Sequence, residues 1–239
     1  MSTAEIQAAP RDTEEASREL LRRPAAERLR VNEIFYSLQG ESTRAGLPCV
    51  LVRLTGCQMR CSWCDTEHSF YEGTWRSVDQ VLAEVESYGC PLVEVTGGEP
   101  LLQPGTLTLL RELADHGFEV LLETGGGRDI RPVDPRVRRI VDVKCPGSGE
   151  AEANFWPNLD ALTGRDELKF VLAGKEDYLW ARDLVRERGL VQRCPIHFSP
   201  VHGRLEPRRL AEWLLRDRLP VRLQLQLHKL LWPEASRGV

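Results

Sequence analysis

Short apolar runs alternate along the chain with stretches in which apolar residues recur every three or four positions, the pattern of strands followed by amphipathic helices. Val31-Asn32-Glu33-Ile34-Phe35-Tyr36-Ser37-Leu38 predicts a strand that Gln39-Gly40-Glu41 breaks. Pro48-Cys49-Val50-Leu51-Val52-Arg53-Leu54 is almost continuously apolar, as in a strand buried on both faces, with Arg53 the exception. A charge near the end of such a strand is either paired structurally, for instance with Glu94, or aimed into a pocket. Further strands are predicted over 92–96, 119–123, 140–143, 168–172, 196–199 and 221–227.

Helices fill the spaces between them. Ser77 caps one over 78–87, with Gln80 completing a capping box and Gly89 ending the element. A second, over 105–116, lines up Leu107, Leu110 and Leu113 and stops at Gly117. Others are expected over 175–188 and 207–217. Alternation of this kind implies βα units, a parallel sheet and right-handed crossovers. The predicted fold is α/β, an incomplete (βα)6-type parallel barrel, with a doubly wound sheet as the alternative. In both, ligands bind at the C-terminal ends of the strands. Residues 1–30 carry Glu and Arg in near balance with few large apolar groups, so a flexible extension is expected there and one folded domain over 31–239.

Composition narrows the function classes. With 41% hydrophobic and 28% charged residues the chain reads as an ordinary soluble globular protein. A formal charge of -4 leaves no electrostatic footprint for nucleic acid. No apolar run approaches a membrane span or a signal peptide, and the odd count of seven cysteines points to a reducing compartment, so a cytoplasmic protein is expected. Cys49, Cys90, Cys145 and Cys194 are scattered and read as buried thiols.

The other three are grouped. Cys57, Cys61 and Cys64 stand in C-x3-C-x2-C spacing just after a predicted strand. Soft thiolates select iron-sulfur clusters, zinc or copper(I). A four-iron cluster normally takes four cysteines, so three leave a coordination position open for chemistry. A zinc site completed by His68 or Asp65 is the structural alternative. Thr96-Gly97-Gly98-Glu99-Pro100 follows the next predicted strand: its paired glycines let backbone approach a ligand, and Glu99 supplies an acceptor. Thr124-Gly125-Gly126-Gly127 is a second glycine-rich loop at a strand end.

Cysteine loop and G-G-E-P together resemble the radical S-adenosylmethionine (SAM) superfamily. That resemblance implies a partial barrel and a 4Fe-4S cluster on Cys57, Cys61 and Cys64 whose fourth iron is chelated by SAM. The likeness narrows at Glu33-Ile34-Phe35-Tyr36-Ser37-Leu38-Gln39-Gly40-Glu41, Gly46-Leu47-Pro48, Val52-Arg53-Leu54-Thr55-Gly56-Cys57 and Cys64-Asp65-Thr66. It continues through Glu123-Thr124-Gly125, Asp142-Val143-Lys144 and Phe198-Ser199-Pro200-Val201 to Gln226-Leu227-His228-Lys229. These segments resemble the 7-carboxy-7-deazaguanine synthase family, which contracts 6-carboxy-5,6,7,8-tetrahydropterin to a deazapurine, releasing ammonia, on the way to queuosine.

The resemblance implies substrate contacts at Gln39, Glu41, Arg53 and His228, with Arg53 clamping the carboxylate bidentately. It implies SAM contacts at Gly97, Gly98, Glu99, Thr124 and Lys144, and Mg2+ held partly by Thr66. An electron from a flavodoxin or ferredoxin, formation of a 5′-deoxyadenosyl radical and a homodimer belong to the same implication. Gly125 departs from the family, which often has serine or asparagine there. Two other readings stay open at this point: an activase for glycyl-radical enzymes, which shares the cysteine spacing, and a zinc-stabilised binding module.

Overall fold

The computed structural model describes residues 19–235 and 237–239. Its elements, in chain order, are β1 (Arg28–Leu38), β2 (Pro48–Leu54), β3 (Thr74–Ser77), α1 (Val78–Ser87), β4 (Leu92–Gly97), α2 (Gly105–Asp115) and β5 (Glu119–Thr124). Then come β6 (Arg138–Asp142), α3 (Asn158–Ala161), β7 (Glu167–Leu172), α4 (Lys175–Glu187), β8 (Ile196–Pro200), α5 (Pro207–Asp217), β9 (Arg222–Leu223) and α6 (Leu227–Leu231), with short 3-10 turns between. The strands form one sheet in the order β3-β1-β2-β4-β5-β6-β7-β8-β9. From β2 onward every pairing is parallel. The result is the expected incomplete α/β barrel.

Local chemistry accounts for the helix ends. Ser77 Oγ accepts from Gln80 N at 3.2 Å while Gln80 Oε1 accepts from Ser77 N at 2.9 Å, the reciprocal capping box. The outward strand faces pack on the helices in two groups. Val50, Val52, Val93, Val95 and Leu122 meet the α1 and α2 side, and Leu168, Phe170 and Phe198 meet the α4 and α5 side. Fully burying one such side chain contributes roughly 1.5–3 kcal/mol.

Three expectations need correction. β1 pairs antiparallel with β2, because residues 39–47 are too few for the dozen or more that a parallel crossover needs. The strand expected over 221–227 is only Arg222–Leu223, and Leu227 opens α6. β8 offers pairing to those two residues alone. β1 also begins at Arg28, inside the expected extension, because Leu29 is 0% exposed and Arg28 to Val31 pair with β3. The four-residue β3 was not expected, having no apolar run to announce it. The remainder of the expected extension, residues 1–18, lies outside the described residues. Among those described, no helix is long and apolar enough to cross a membrane.

Candidate active site inside the partial barrel

Side chains along a strand alternate between faces, so the register that sends Val93 and Val95 outward sends Glu94 and Thr96 inward. The same alternation turns Glu123, Asp142 and Lys169 into a cavity of about 550 Å3 that also meets Arg53, the cysteine loop and the G-G-E-P loop. The interior of this barrel is therefore charged and the apolar core lies outside it.

At the C-terminal end of β2, Cys57, Cys61 and Cys64 are free, half-buried thiols lining the cavity. Burial pushes Cys57 and Cys61 above the ordinary thiol range. Among the described residues no three His, Cys, Asp or Glu side chains close on a point that would hold a single metal ion. Three soft donors spread over one short loop instead suit a cluster in which each thiolate takes a different iron. The residues fit a 4Fe-4S cluster.

The G-G-E-P loop is fastened to the cysteine loop by backbone. Gly98 N donates to Leu54 O at 3.1 Å and Glu99 N to Gly56 O at 2.7 Å. A Cβ on Gly98 would stand 2.3 Å from Gly56 O, and one on Gly97 would stand 2.4 Å from Leu54 O. The close approach that these glycines permit is thus first to the neighbouring chain. Glu99 is buried and accepts from Leu101 N at 2.9 Å, Thr124 Oγ1 at 2.9 Å and Gly125 N at 2.8 Å. The Thr124 hydroxyl lies 2.9 Å from both carboxylate oxygens, so three donors are shared over about four lone-pair sites. Lys144 Nζ donates to Asp142 at 2.7 Å. Burial opposes its charge, but Asp142 and the Cys61 sulfur outweigh it and hold the ammonium above its ordinary range.

Gln39 and Glu41 arrive from the other end. They follow the antiparallel β1, so their loop sits under the N-terminal ends of the parallel strands and reaches up into the barrel, against the expectation that every candidate loop lies at the C-terminal ends. Gln39 donates its side-chain amide to Glu94, and its Oε1 accepts from Glu41 N at 2.9 Å. Lys169 donates to Glu41 and, at 2.8 Å, to Glu123. Thr43 N donates to Glu167 at 2.8 Å, stitching the loop to β7. Glu41 Oε1 is buried without a hydrogen-bond partner.

Arg53 does not pair with Glu94; its Nε donates to Glu33 at 2.7 Å. His228 packs so closely on Gly40 that a Cβ there would lie 2.7 Å from Nδ1. Burial lowers His228 below the ordinary imidazole range. Thr66 Oγ1 lies 3.8 Å from Cys64 Sγ.

Glu94, Glu123, Asp142 and Lys169 were not assigned to the site by the sequence reading, which named Glu94 only as a possible partner for Arg53. Their signal was the one that singled out Arg53, a charge interrupting an apolar strand. Burial first, and then Glu123, push Glu94 up to about 8. Burial also raises Glu123, but the Lys169 ammonium outweighs it and the net direction is down. A carboxyl raised in the fold keeps its proton where the unfolded chain, near 4.5, has lost it. The stability it contributes is full below that value and is lost as pH climbs through about 8. Urea midpoints taken at about pH 5 and about pH 8 should therefore fall further in wild type than in Glu94→Gln. Equal falls would show that Glu94 is not the group responsible.

Residues 51–198 match the radical SAM superfamily. The 7-carboxy-7-deazaguanine synthase of Chlorobaculum tepidum is 51% identical over 214 residues, covering 88% of this chain and 97% of the relative. That of Koribacter versatilis is 44% identical over 226 residues, covering 88% and 100%. The chain belongs to the 7-carboxy-7-deazaguanine synthase family. The crystal structure of QueE from Escherichia coli superposes with a TM-score of 0.68 at 25% identity, covering 83% of this chain and 94% of that one. Membership makes the chain a radical SAM enzyme and implies a 4Fe-4S cluster and SAM as its cofactors. It sets aside both the activase and the zinc-module readings.

Proposed function

We propose that the enzyme contracts 6-carboxy-5,6,7,8-tetrahydropterin to 7-carboxy-7-deazaguanine with release of ammonia, and that the charged cavity is where the pterin sits. The observation that carries this is the state of Arg53. Its Nε is engaged by Glu33, while neither Nη has a hydrogen-bond acceptor among the described residues, and the side chain lines the cavity. A guanidinium fork left open in a chamber where Lys144 and Lys169 are already paired with Asp142, Glu41 and Glu123 is a donor site for one further carboxylate.

Each remaining group has a matching task. The unpartnered Glu41 Oε1 would take an N–H from the amino edge of the pterin, beside Gln39; burial raises the Glu41 carboxyl above its ordinary range and the Lys169 ammonium opposes that rise. His228, neutral and packed on Gly40, would close the same end. SAM would lie along Gly97, Gly98, Glu99, Thr124 and Lys144. The Glu99 carboxylate suits its ammonium and Lys144 suits its carboxylate. Cluster and SAM, when bound, supply the carbon-centred radical that starts the chemistry. The protein orients the pterin against it and excludes water.

Mg2+ at Thr66 belongs to the same proposal. A lone hydroxyl is a weak ligand, so the ion would need substrate oxygens as well. A flavodoxin or ferredoxin as electron donor, and a homodimer, complete it. The deciding experiment is anaerobic incubation with the carboxytetrahydropterin, SAM, reductant and Mg2+, followed by chromatography for 7-carboxy-7-deazaguanine and an ammonia assay. No product from iron-replete enzyme would overturn the substrate assignment. In that assay Arg53→Lys keeps the charge but loses the planar fork. It should lower kcat/KM by roughly 1.5–3 kcal/mol of transition-state stabilisation while leaving iron content unchanged.

A further inference from the structure

Arg53 faces the cavity with one edge because another residue holds the opposite edge. β1 and β2 pair Val31 with Leu54 but Glu33 with Arg53, so the register slips by one residue at Asn32. Such a bulge re-aims the side chains that follow it. Without it Asn32 would oppose Arg53, and Glu33 would oppose Val52, whose side chain is 0% exposed in the outer core. The extra residue is itself secured, since Asn32 Nδ2 donates to Glu72 O at 3.0 Å.

The bulge thus delivers a carboxylate to Arg53 Nε. The other surroundings cooperate: the guanidinium carbon lies 5.8 Å over the ring of buried Phe35, two residues on from Glu33 along β1. His68 Nε2 stands 3.8 Å from the same Glu33 oxygen and makes no hydrogen bond. Glu33 Oε1 is the only hydrogen-bond acceptor that Arg53 has among the described residues. Arginine has five N–H donors in a rigid planar fork. Fixing Nε therefore fixes the plane and leaves the two-Nη edge for a ligand.

We infer that Glu33 is a positioning residue, carried into place by the bulge at Asn32, that holds the Nη edge of Arg53 toward the carboxylate of the pterin. The inference rests on the reading of Arg53 as the carboxylate clamp. Glu33 acts through geometry, so an uncharged acceptor of the same length serves in its place. Its removal frees the guanidinium to rotate away and raises KM.

The experiment is a double-mutant cycle on the reconstituted enzyme with the carboxytetrahydropterin as varied substrate. Glu33→Ala is expected to lower kcat/KM at least about tenfold, mainly through KM, and Glu33→Gln to restore it to within about threefold of wild type. In an Arg53→Ala background, Glu33→Ala should cost little more. Iron content and urea midpoint are measured for every variant, so the Gln rescue is read only on folded, loaded protein. If Arg53→Ala is impaired while Glu33→Ala matches wild type, the positioning role fails and the clamp stands. Equal damage from Ala and Gln would mean that charge acts instead of geometry, and additive losses would mean independent action; both overturn the inference. Wild-type kinetics in Arg53→Ala would remove the clamp itself.

Discussion

Cys61→Ala is expected to abolish iron retention and turnover together while leaving the apoprotein as stable as wild type. The Cys61 thiol is half-buried, and among the described residues it makes no hydrogen bond that the fold depends on, so the substitution removes a ligand and little else. Three thiolates are all that the chain offers the cluster at this site. A fourth cannot be recruited, because Cys49, Cys90, Cys145 and Cys194 are buried in the core. Iron quantitation after anaerobic reconstitution, set beside urea unfolding of the apoprotein, separates the two effects. Full iron content in Cys61→Ala would remove that residue from the ligand set, and stoichiometric zinc in place of iron in wild type would remove the cluster.

The other large effect concerns Lys169, whose side chain is 9% exposed and which pairs with Glu41 and with Glu123 at 2.8 Å. Lys169→Met keeps the length and apolar bulk but leaves two carboxylates facing each other inside the barrel. Removing one partner of a buried ion pair typically costs about 3–5 kcal/mol. Protonation of one carboxylate relieves part of that, so the loss should be greatest at alkaline pH and smaller near pH 5. Urea unfolding of the apoprotein measures it without reference to activity. A variant as stable as wild type at every pH would mean that the three charges are solvated in place and that their pairing adds nothing to the fold.

What could be read in advance depended on whether the information is local. The capping box at Ser77 and Gln80 needs four residues, and three cysteines within eight residues announce a ligand set on their own. Lys169, Glu94 and Glu123 sit on three different strands, and only closure of the sheet brings them together. Each showed in the sequence as an isolated charge in an apolar run, with nothing to say which charge it would meet. The direction of β1 was legible in principle from the length of the link 39–47. Its consequence, that Gln39 and Glu41 enter the cavity from beneath, belongs to topology. The salt partner of Arg53 was hidden most completely, because a one-residue bulge decides it.

The contacts between Gly97, Gly98 and the Leu54–Gly56 backbone also determine how one lip of the cavity is held. Main chain packed on main chain cannot part without breaking both hydrogen bonds, so the G-G-E-P and cysteine loops are fastened into one unit. The facing lip is the segment after β9, tied across by Lys229–Asp65 at 2.6 Å and Arg237–Glu72 at 2.8 Å. Of the two, Arg237–Glu72 is the exposed one, and a pair of that sort contributes roughly 0–1 kcal/mol. The two lips of the chamber are thus built differently, one joined main chain to main chain and the other held across the opening by side-chain ion pairs and anchored at its base by Leu227 N donating to Gly40 O at 3.1 Å.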